Sequence, residues 1–112
     1  MKLLALSRGI LILTVCLTLA ACSNPQARYK RDFYNAKQSF AHQNYSSAFT
    51  QIRSPAIAGN PDAQYALGYM YYNGLGTIAS STKASYWFQK AAAQGNDPAH
   101  KALLEMKGAS YN

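Results

Sequence analysis

The chain has 112 residues, with 11 lysines and arginines against four aspartates and glutamates, and a formal net charge of +7. A chain of this length suffices for one small domain with a limited hydrophobic core. The positive charge favours anionic partners or surfaces without identifying one.

The first 21 residues have the pattern of an export signal. Lys2 and Arg8 supply a basic start, and an apolar run follows over residues 10–20. That run is too short to cross a hydrocarbon core of about 30 Å comfortably. We therefore assign residues 1–21 to a signal peptide that is removed from the mature protein.

The cleavage site of this signal carries a cysteine. The sequence from Leu19 through Ala20 and Ala21 to Cys22 resembles the lipobox of bacterial lipoproteins. The resemblance implies cleavage before Cys22, acylation of this residue and stable anchoring by two or more acyl chains. Because Ser23 is not aspartate, it further implies transport to the Gram-negative outer membrane. The alternative is an ordinary secretory signal whose cleavage site happens to contain a cysteine.

Cleavage would leave 91 residues with nine basic and four acidic side chains. Cys16 would leave with the signal and Cys22 would be a thioether, so no thiol would remain for a disulfide or a metal. We expect residues 22–26 to form a short disordered tether and residues 27–112 to form the folded domain.

The domain begins with a predicted amphipathic helix over residues 27–43, because aromatic and small residues recur there at helical spacing. These residues are Tyr29, Phe33, Ala36 and Phe40. Close to the tether the helix carries three cations, Arg28, Lys30 and Arg31. They form a candidate membrane-proximal basic cluster that attracts anionic head groups; a simply solvated helix start is the alternative.

A second helix is predicted from about Tyr45, with Ala48, Phe49 and Ile52 facing inward. Pro55 lacks a backbone donor, so we expect this helix to kink or end around Ser54.

The next two helices form the most regular part of the chain, residues 59–96. Asn60 and Pro61 predict the start of a helix over residues 61–72. Its inward side chains are Ala63, Leu67, Met70 and Tyr71. Gly68 lies at the margin of this inward face, where it allows a neighbouring backbone to approach closely. A loop with glycines at 74 and 76 leads to a helix over residues 81–94, whose inward side chains are Ala84, Trp87, Phe88 and Ala91.

The chain also repeats itself with a period of 36 residues. Five positions of the predicted second helix and its C-terminal turn correspond to positions 36 residues later, four with the same residue and one with another apolar residue: Ala48 and Ala84, Ile52 and Phe88, Ala56 and Ala92, Gly59 and Gly95, and Asn60 and Asn96. Such a period is typical of a solenoid of helical hairpins. A last helix over residues 97–107 then covers the end of the solenoid as a cap.

These residues resemble the Sel1-like repeats, a subclass of tetratricopeptide-like α-solenoids. The matching positions are Ala63, Leu67, Gly68, Tyr71, Gly74, Gly76, Lys83, Ala84, Trp87, Lys90, Ala91, Ala92 and Gly95. The resemblance implies an all-α fold, a short solenoid of antiparallel hairpins that binds partners rather than catalysing a reaction. Thr77 departs from the aliphatic residue usual in the family, and Ser80 replaces an acidic one but caps a helix equally well.

Tyrosines form a second stripe on the first helix of this repeat. Tyr65, Tyr69 and Tyr72 lie opposite its core face, and the resemblance implies that they point into a concave groove. Tyrosine is a preferred interface residue, so these three are candidate partner-binding residues. The alternative, which stays fully open for Tyr65, is packing against the helix of residues 27–43.

No catalytic, metal or cofactor site emerges from the remaining residues. Asp62 and Asp97 sit at predicted helix starts and complement the helix dipole, while His42 and His100 lie in different hairpins. We therefore expect a non-enzymatic, lipid-anchored adaptor of the bacterial cell envelope that binds a protein or peptide, and neither a cofactor nor a nucleic acid. The alternative is a module that binds an anionic envelope polymer or lipid head groups through its basic surface.

Overall fold

The computed structural model describes residues 24–110, and these form five α-helices and no strand. The helices are α1 (Pro25–Ala41), α2 (Tyr45–Ile57), α3 (Pro61–Asn73), α4 (Ser81–Ala93) and α5 (Asp97–Ala109). This confirms the all-α prediction and each of the five helices. The predicted signal peptide and Cys22 lie outside the described residues.

A polar side chain caps the N-terminus of every helix. Asn60 accepts a hydrogen bond from the Ala63 backbone N–H at 2.9 Å, and Asn96 does the same from Ala99 at 2.9 Å. Ser80 caps α4 by accepting from Lys83 at 3.3 Å. These bonds satisfy backbone donors that have no partner inside the helix, which is why the starts of α3 and α4 were predictable.

Helix α1 lies two residues closer to the N-terminus than predicted. Asn24 caps it by accepting from the Gln26 N–H at 3.0 Å, and Pro25 occupies the first turn. Pro25 and Gln26 therefore belong to α1 rather than to a tether. The helix stops at Ala41 because Gln43 takes a positive φ of 61°.

Helix α2 does not end at Ser54, one of the two outcomes that we expected from Pro55. It continues through Pro55 to Ile57. Pro55 lies in the last turn and is fully buried, so the missing donor affects one bond while the ring fills the core. The carbonyl of Pro55 accepts from the Asn60 N–H at 3.1 Å beyond the helix end.

The helices pack in chain order as antiparallel hairpins, α1 with α2 and α3 with α4, and α5 covers α4. The buried residues form two clusters. The first contains Ala36, Ala48, Ile52, Ala56, Ala63, Leu67 and Met70. The second contains Ala84, Phe88, Ala91 and Ala99. Alanine dominates both clusters, so the helix backbones lie close together.

The closest approach within the second hairpin occurs at Gly68. A Cβ atom added there would lie 2.7 Å from Cδ1 of Phe88 and 3.2 Å from the Ala84 carbonyl oxygen. The ring of Phe88 thus occupies the space that any side chain at position 68 would need. This confirms the close approach predicted for Gly68.

Trp87 is only half-buried, although we predicted it to be a buried core residue. It packs against the first cluster, and its ring meets that of Tyr86 edge to face at 5.2 Å. Phe88, only 2% exposed, is the buried aromatic residue of α4. Successive residues differ by about 100° around a helix, so only one of this pair can point directly at the Gly68 crossing.

The loop between α3 and α4, within the second hairpin, packs against the first hairpin. Gly74 and Gly76 take φ values of +67° and +69°, which confirms the turn geometry predicted for this loop. Gly76 lies against the Tyr45 carbonyl at the start of α2, where an added Cβ would collide with the backbone. Any side chain at 76 would therefore push the hairpins apart.

One buried polar side chain, Gln64, links three helices. Its amide nitrogen donates to the Ala56 carbonyl of α2 at 3.1 Å, and its amide oxygen accepts from Gln94 after α4 at 2.8 Å. The side-chain amide of Asn96, which precedes α5, also donates to the carboxylate of Asp62 in α3 at 3.0 Å. Both polar groups of the Gln64 side chain have hydrogen-bond partners. Gln64 therefore fixes the register of the repeats without leaving a buried polar group unsatisfied.

We predict that Gly68→Ala destabilises the domain. The added methyl group collides with Phe88, and overpacking of this kind costs about 1–3 kcal/mol, which lowers the melting temperature by roughly 5 to 20 °C in a domain of this size. Gly108→Ala is the matched control, because nothing lies within 4 Å of its Cβ position in α5. Thermal melts followed by circular dichroism test this, and equal melting temperatures for the two variants would contradict the packing.

Candidate functional site

An open apolar groove lies between α1 and α3. Its volume is about 440 Å³. Four buried side chains form its floor, and two of them are alanines: Ala36, Ala48, Ile52 and Met70. The small floor residues leave room above them, which is why the two helices enclose a depression instead of closing over it. We call it the α1–α3 groove.

Aromatic rings form the walls of the α1–α3 groove. Phe33 and Phe40 line it from α1, and Tyr65 and Tyr69 line it from α3. The rings of Phe40 and Tyr69 meet edge to face with centroids 6.3 Å apart. The charged groups in the lining are Lys37, whose ammonium lies 5.8 Å from the Phe33 ring centroid, and Asp62.

A second depression lies on the other side of α3, between α3 and α5. We call it the α3–α5 groove. One part, of about 160 Å³, is lined by Tyr65, Tyr69, Tyr72, Asn73, Phe88, Ala102, Glu105 and Met106. The adjoining part, of about 510 Å³, is lined by Tyr65, Asp97, Pro98, Lys101, Ala102 and Glu105. The two grooves flank α3 on the face formed by α1, α3 and α5, which we call the groove face.

The three candidate tyrosines form the ridge between these grooves. Tyr65 and Tyr69 line both of them, and Tyr72 lines the α3–α5 groove. Tyr65 is half-buried with its ring centroid 5.7 Å from that of Phe88, whereas Tyr69 and Tyr72 are 42% and 47% exposed. Tyr65 therefore contributes both to the packing of the fold and to the surface of the grooves, whereas the rings of Tyr69 and Tyr72 are accessible to solvent. The contact of Tyr69 with Phe40 is the packing on α1 that we considered as the alternative.

The basic cluster of α1 is exposed and lies at its N-terminal end. Arg28, Lys30 and Arg31 are all exposed. Arg28 Nε lies 3.9 Å from an Asp32 carboxylate oxygen one turn later, a distance that gives little stabilisation at the surface. The three cations are thus open to solvent, beside the end of α1 that would follow the anchor.

The side chains that catalysis or metal binding would need are not clustered in the described part of the chain. No set of three or more His, Cys, Asp or Glu side chains within residues 24–110 is arranged to hold a metal ion. His42 and His100 are exposed and lie on different hairpins. Over the same residues, none of the helices has the length and apolar character needed to cross a bilayer.

The α1–α3 groove was not predicted from the sequence. Phe33 and Phe40 were expected on the apolar stripe of an amphipathic helix, and in the structure both rings are walls of the groove, with Phe40 36% exposed. A signal was present in the sequence. The inward positions beneath these rings, Ala36 and Ala48, are too small to fill the space between helices.

The five helices, packed in sequence as hairpins, define the class of protein, a short all-α solenoid. Residues 61–96 match the Sel1 repeat family. Sel1 repeats are typically protein-interaction scaffolds and usually non-catalytic. The matched segment coincides with α3, α4 and the turn before α5.

A similar protein is the chitin synthase regulatory factor 3 of Schizosaccharomyces pombe, 36% identical over 63 residues. The aligned region is 56% of this chain and 7% of the relative, so the chain spans a small part of that protein. No solved structure matches the chain.

We predict different stability effects along the tyrosine ridge. Tyr65→Ala removes a half-buried ring from Phe88 and should cost about 1–3 kcal/mol, whereas Tyr72→Ala removes an exposed ring and should cost less than about 0.5 kcal/mol. Urea unfolding of both variants measures this. A larger loss for Tyr72→Ala would mean that this ring belongs to the core.

Proposed function

We propose that this protein is a lipid-anchored, non-catalytic adaptor that binds a protein or peptide partner through the groove face. The single observation that carries the proposal is the α1–α3 groove, a preformed apolar depression with the exposed tyrosine ridge along one side. Such a depression accepts an apolar side chain of a partner and removes it from water.

The chemistry of the ridge supports this proposal. Tyr69 and Tyr72 offer large apolar area with a polar tip, and few rotatable bonds are immobilised on binding. The usual role of Sel1 repeats as interaction scaffolds points the same way. The name of the yeast relative, a regulatory factor for an enzyme, supports a role in which the repeats act on a partner.

The proposed location is the bacterial cell envelope, with the domain on the periplasmic side of the outer membrane. The proposal depends on the sequence around Cys22 and on its following Ser23. Because α1 begins at Pro25, only two residues separate Cys22 from the helix, so the acyl anchor would hold the basic cluster of α1 close to the lipid surface.

A second candidate function uses that basic cluster. Arg28, Lys30 and Arg31 are exposed, and each cation near an anionic surface contributes about 1 kcal/mol to attraction. A protein that used mainly this surface would bind an anionic envelope polymer or lipid head groups. Its binding would decrease steeply with ionic strength, whereas binding in an apolar groove would change little.

We predict that a partner of the groove face is lost from a Tyr69→Ala/Tyr72→Ala variant. A photoreactive phenylalanine analogue at position 72, used in intact cells with mass spectrometry, first identifies the partner. Truncating an interface hot spot costs about 2 kcal/mol or more, so affinity should decrease roughly thirtyfold, while the melting temperature changes little.

Tyr86→Ala is the matched control for this experiment. Tyr86 is 54% exposed on α4, away from both grooves, so its removal should leave binding unchanged. An equal loss for both variants would contradict a role for the groove face. Binding that survives the double variant but disappears at high salt would instead support the basic cluster.

We also predict that the mature chain begins at acylated Cys22. Intact-mass analysis of the purified protein should show an N-terminal cysteine carrying acyl chains, and Cys22→Ser should lose both the acyl chains and the cleavage before residue 22. Cys16→Ser is the control, because Cys16 lies within the predicted signal and should not matter. Unchanged processing and membrane association of Cys22→Ser would place the anchor elsewhere.

A further inference from the structure

Charge is distributed unevenly between the groove face and the rest of the domain. Residues 24–110 contain four acidic and nine basic side chains. Three of those four acids line the two grooves: Asp62, Asp97 and Glu105. Lys37 and Lys101 are the cations in the same linings. The groove face therefore carries a formal charge of about −1, while the remaining described surface is strongly positive.

Glu105 is the acid best placed to meet a partner. It is exposed on α5 and lines the α3–α5 groove beside Tyr72 and Asn73. Within the described residues no Lys, Arg or His nitrogen lies within 4.0 Å of its carboxylate, the ion pair there being that of Arg28 with Asp32. By contrast, Asp62 and Asp97 lie in the first turns of α3 and α5, where the helix dipoles partly compensate them.

The surroundings of Glu105 suit a cationic side chain. An ammonium or guanidinium group there would lie near a carboxylate and tyrosine rings, and both attract cations. The α1–α3 groove suits the opposite kind of side chain, because its floor is aliphatic and its walls are aromatic. The two grooves thus differ in chemistry although they share Tyr65 and Tyr69.

The spacing of the grooves limits the peptide that can fill both. They lie on either side of α3, and a helix with its side chains is about 10–12 Å across, so the two depressions are separated by about the width of one helix. A polyproline II peptide rises about 3.1 Å per residue with three residues per turn. Residues i and i+3 therefore project from the same side about 9 Å apart, which is close to the spacing of the grooves.

We propose that the groove face recognises an extended peptide with an apolar side chain in the α1–α3 groove and, three residues away, a lysine or arginine beside Glu105. This inference rests on the proposed function and adds the chemistry of the partner. A protein with a net positive charge would thus bind cationic rather than acidic peptides, because its acidic side chains are concentrated where the partner binds.

A random library of twelve-residue peptides displayed on phage tests the inference. It is selected on the full chain carrying Cys22→Ser, and enriched sequences should contain an apolar residue three positions from Lys or Arg. A selected peptide is then synthesised together with its Arg→Met or Lys→Met counterpart. Glu105→Gln should weaken the cationic peptide about tenfold and change the methionine peptide less than about twofold.

Asp32→Asn is the matched control, since it removes the same charge from α1 outside the grooves and should change the affinity of either peptide by less than about twofold. Selected peptides that lack a cation, or that bind Glu105→Gln unchanged while losing affinity for Tyr69→Ala/Tyr72→Ala, would overturn the inference and leave the proposed function standing. If no selected peptide depends on these tyrosines, both fail.

Discussion

Small residues where the helices cross determine how close the five helices lie. The α3–α4 crossing depends on Gly68, because the ring of Phe88 fills the space of its missing side chain. Alanine occupies most of the other buried positions, including Ala48 in α2 and its equivalent Ala84 in α4. The core consequently has little large apolar volume, and the domain depends on close contact between backbones and on caps such as Asn60 and Asn96.

The same constraint produces the groove face. Above Ala36 and Ala48 the helices α1 and α3 do not close, so Phe33 and Phe40 line an open groove instead of a filled core. Gly76 against the Tyr45 carbonyl holds the loop of the second hairpin on the first, and Gln64 fixes the register of α2, α3 and α4. The groove is thus supported on several sides and is formed before a partner arrives.

Features determined by neighbouring residues were predictable from the sequence, and features determined by distant ones were less so. Caps, the glycine turn and the 36-residue period are local or repeated signals, and they predicted the helices. The path of α2 through Pro55 depends on burial of that ring, and the choice of Phe88 over Trp87 depends on the Gly68 crossing. The α1–α3 groove depends on side chains from three helices, so no single helix pattern predicts it. The exposure of Tyr69 and Tyr72 was predictable because a stripe opposite the core faces solvent.

The proposed function assigns the two surfaces of the domain separate tasks. In it, the exposed basic cluster at Arg28, Lys30 and Arg31 faces the lipid, and the groove face with Glu105 is left for a partner. NMR chemical-shift mapping of the isotope-labelled chain with a peptide from the phage selection measures this division most directly. If a peptide binds to the groove face, the perturbed amide signals will be concentrated in α3 around Tyr65 to Tyr72 and in the facing turns of α1 and α5. Perturbations confined to the basic cluster or to the outer surface of α4 would contradict it.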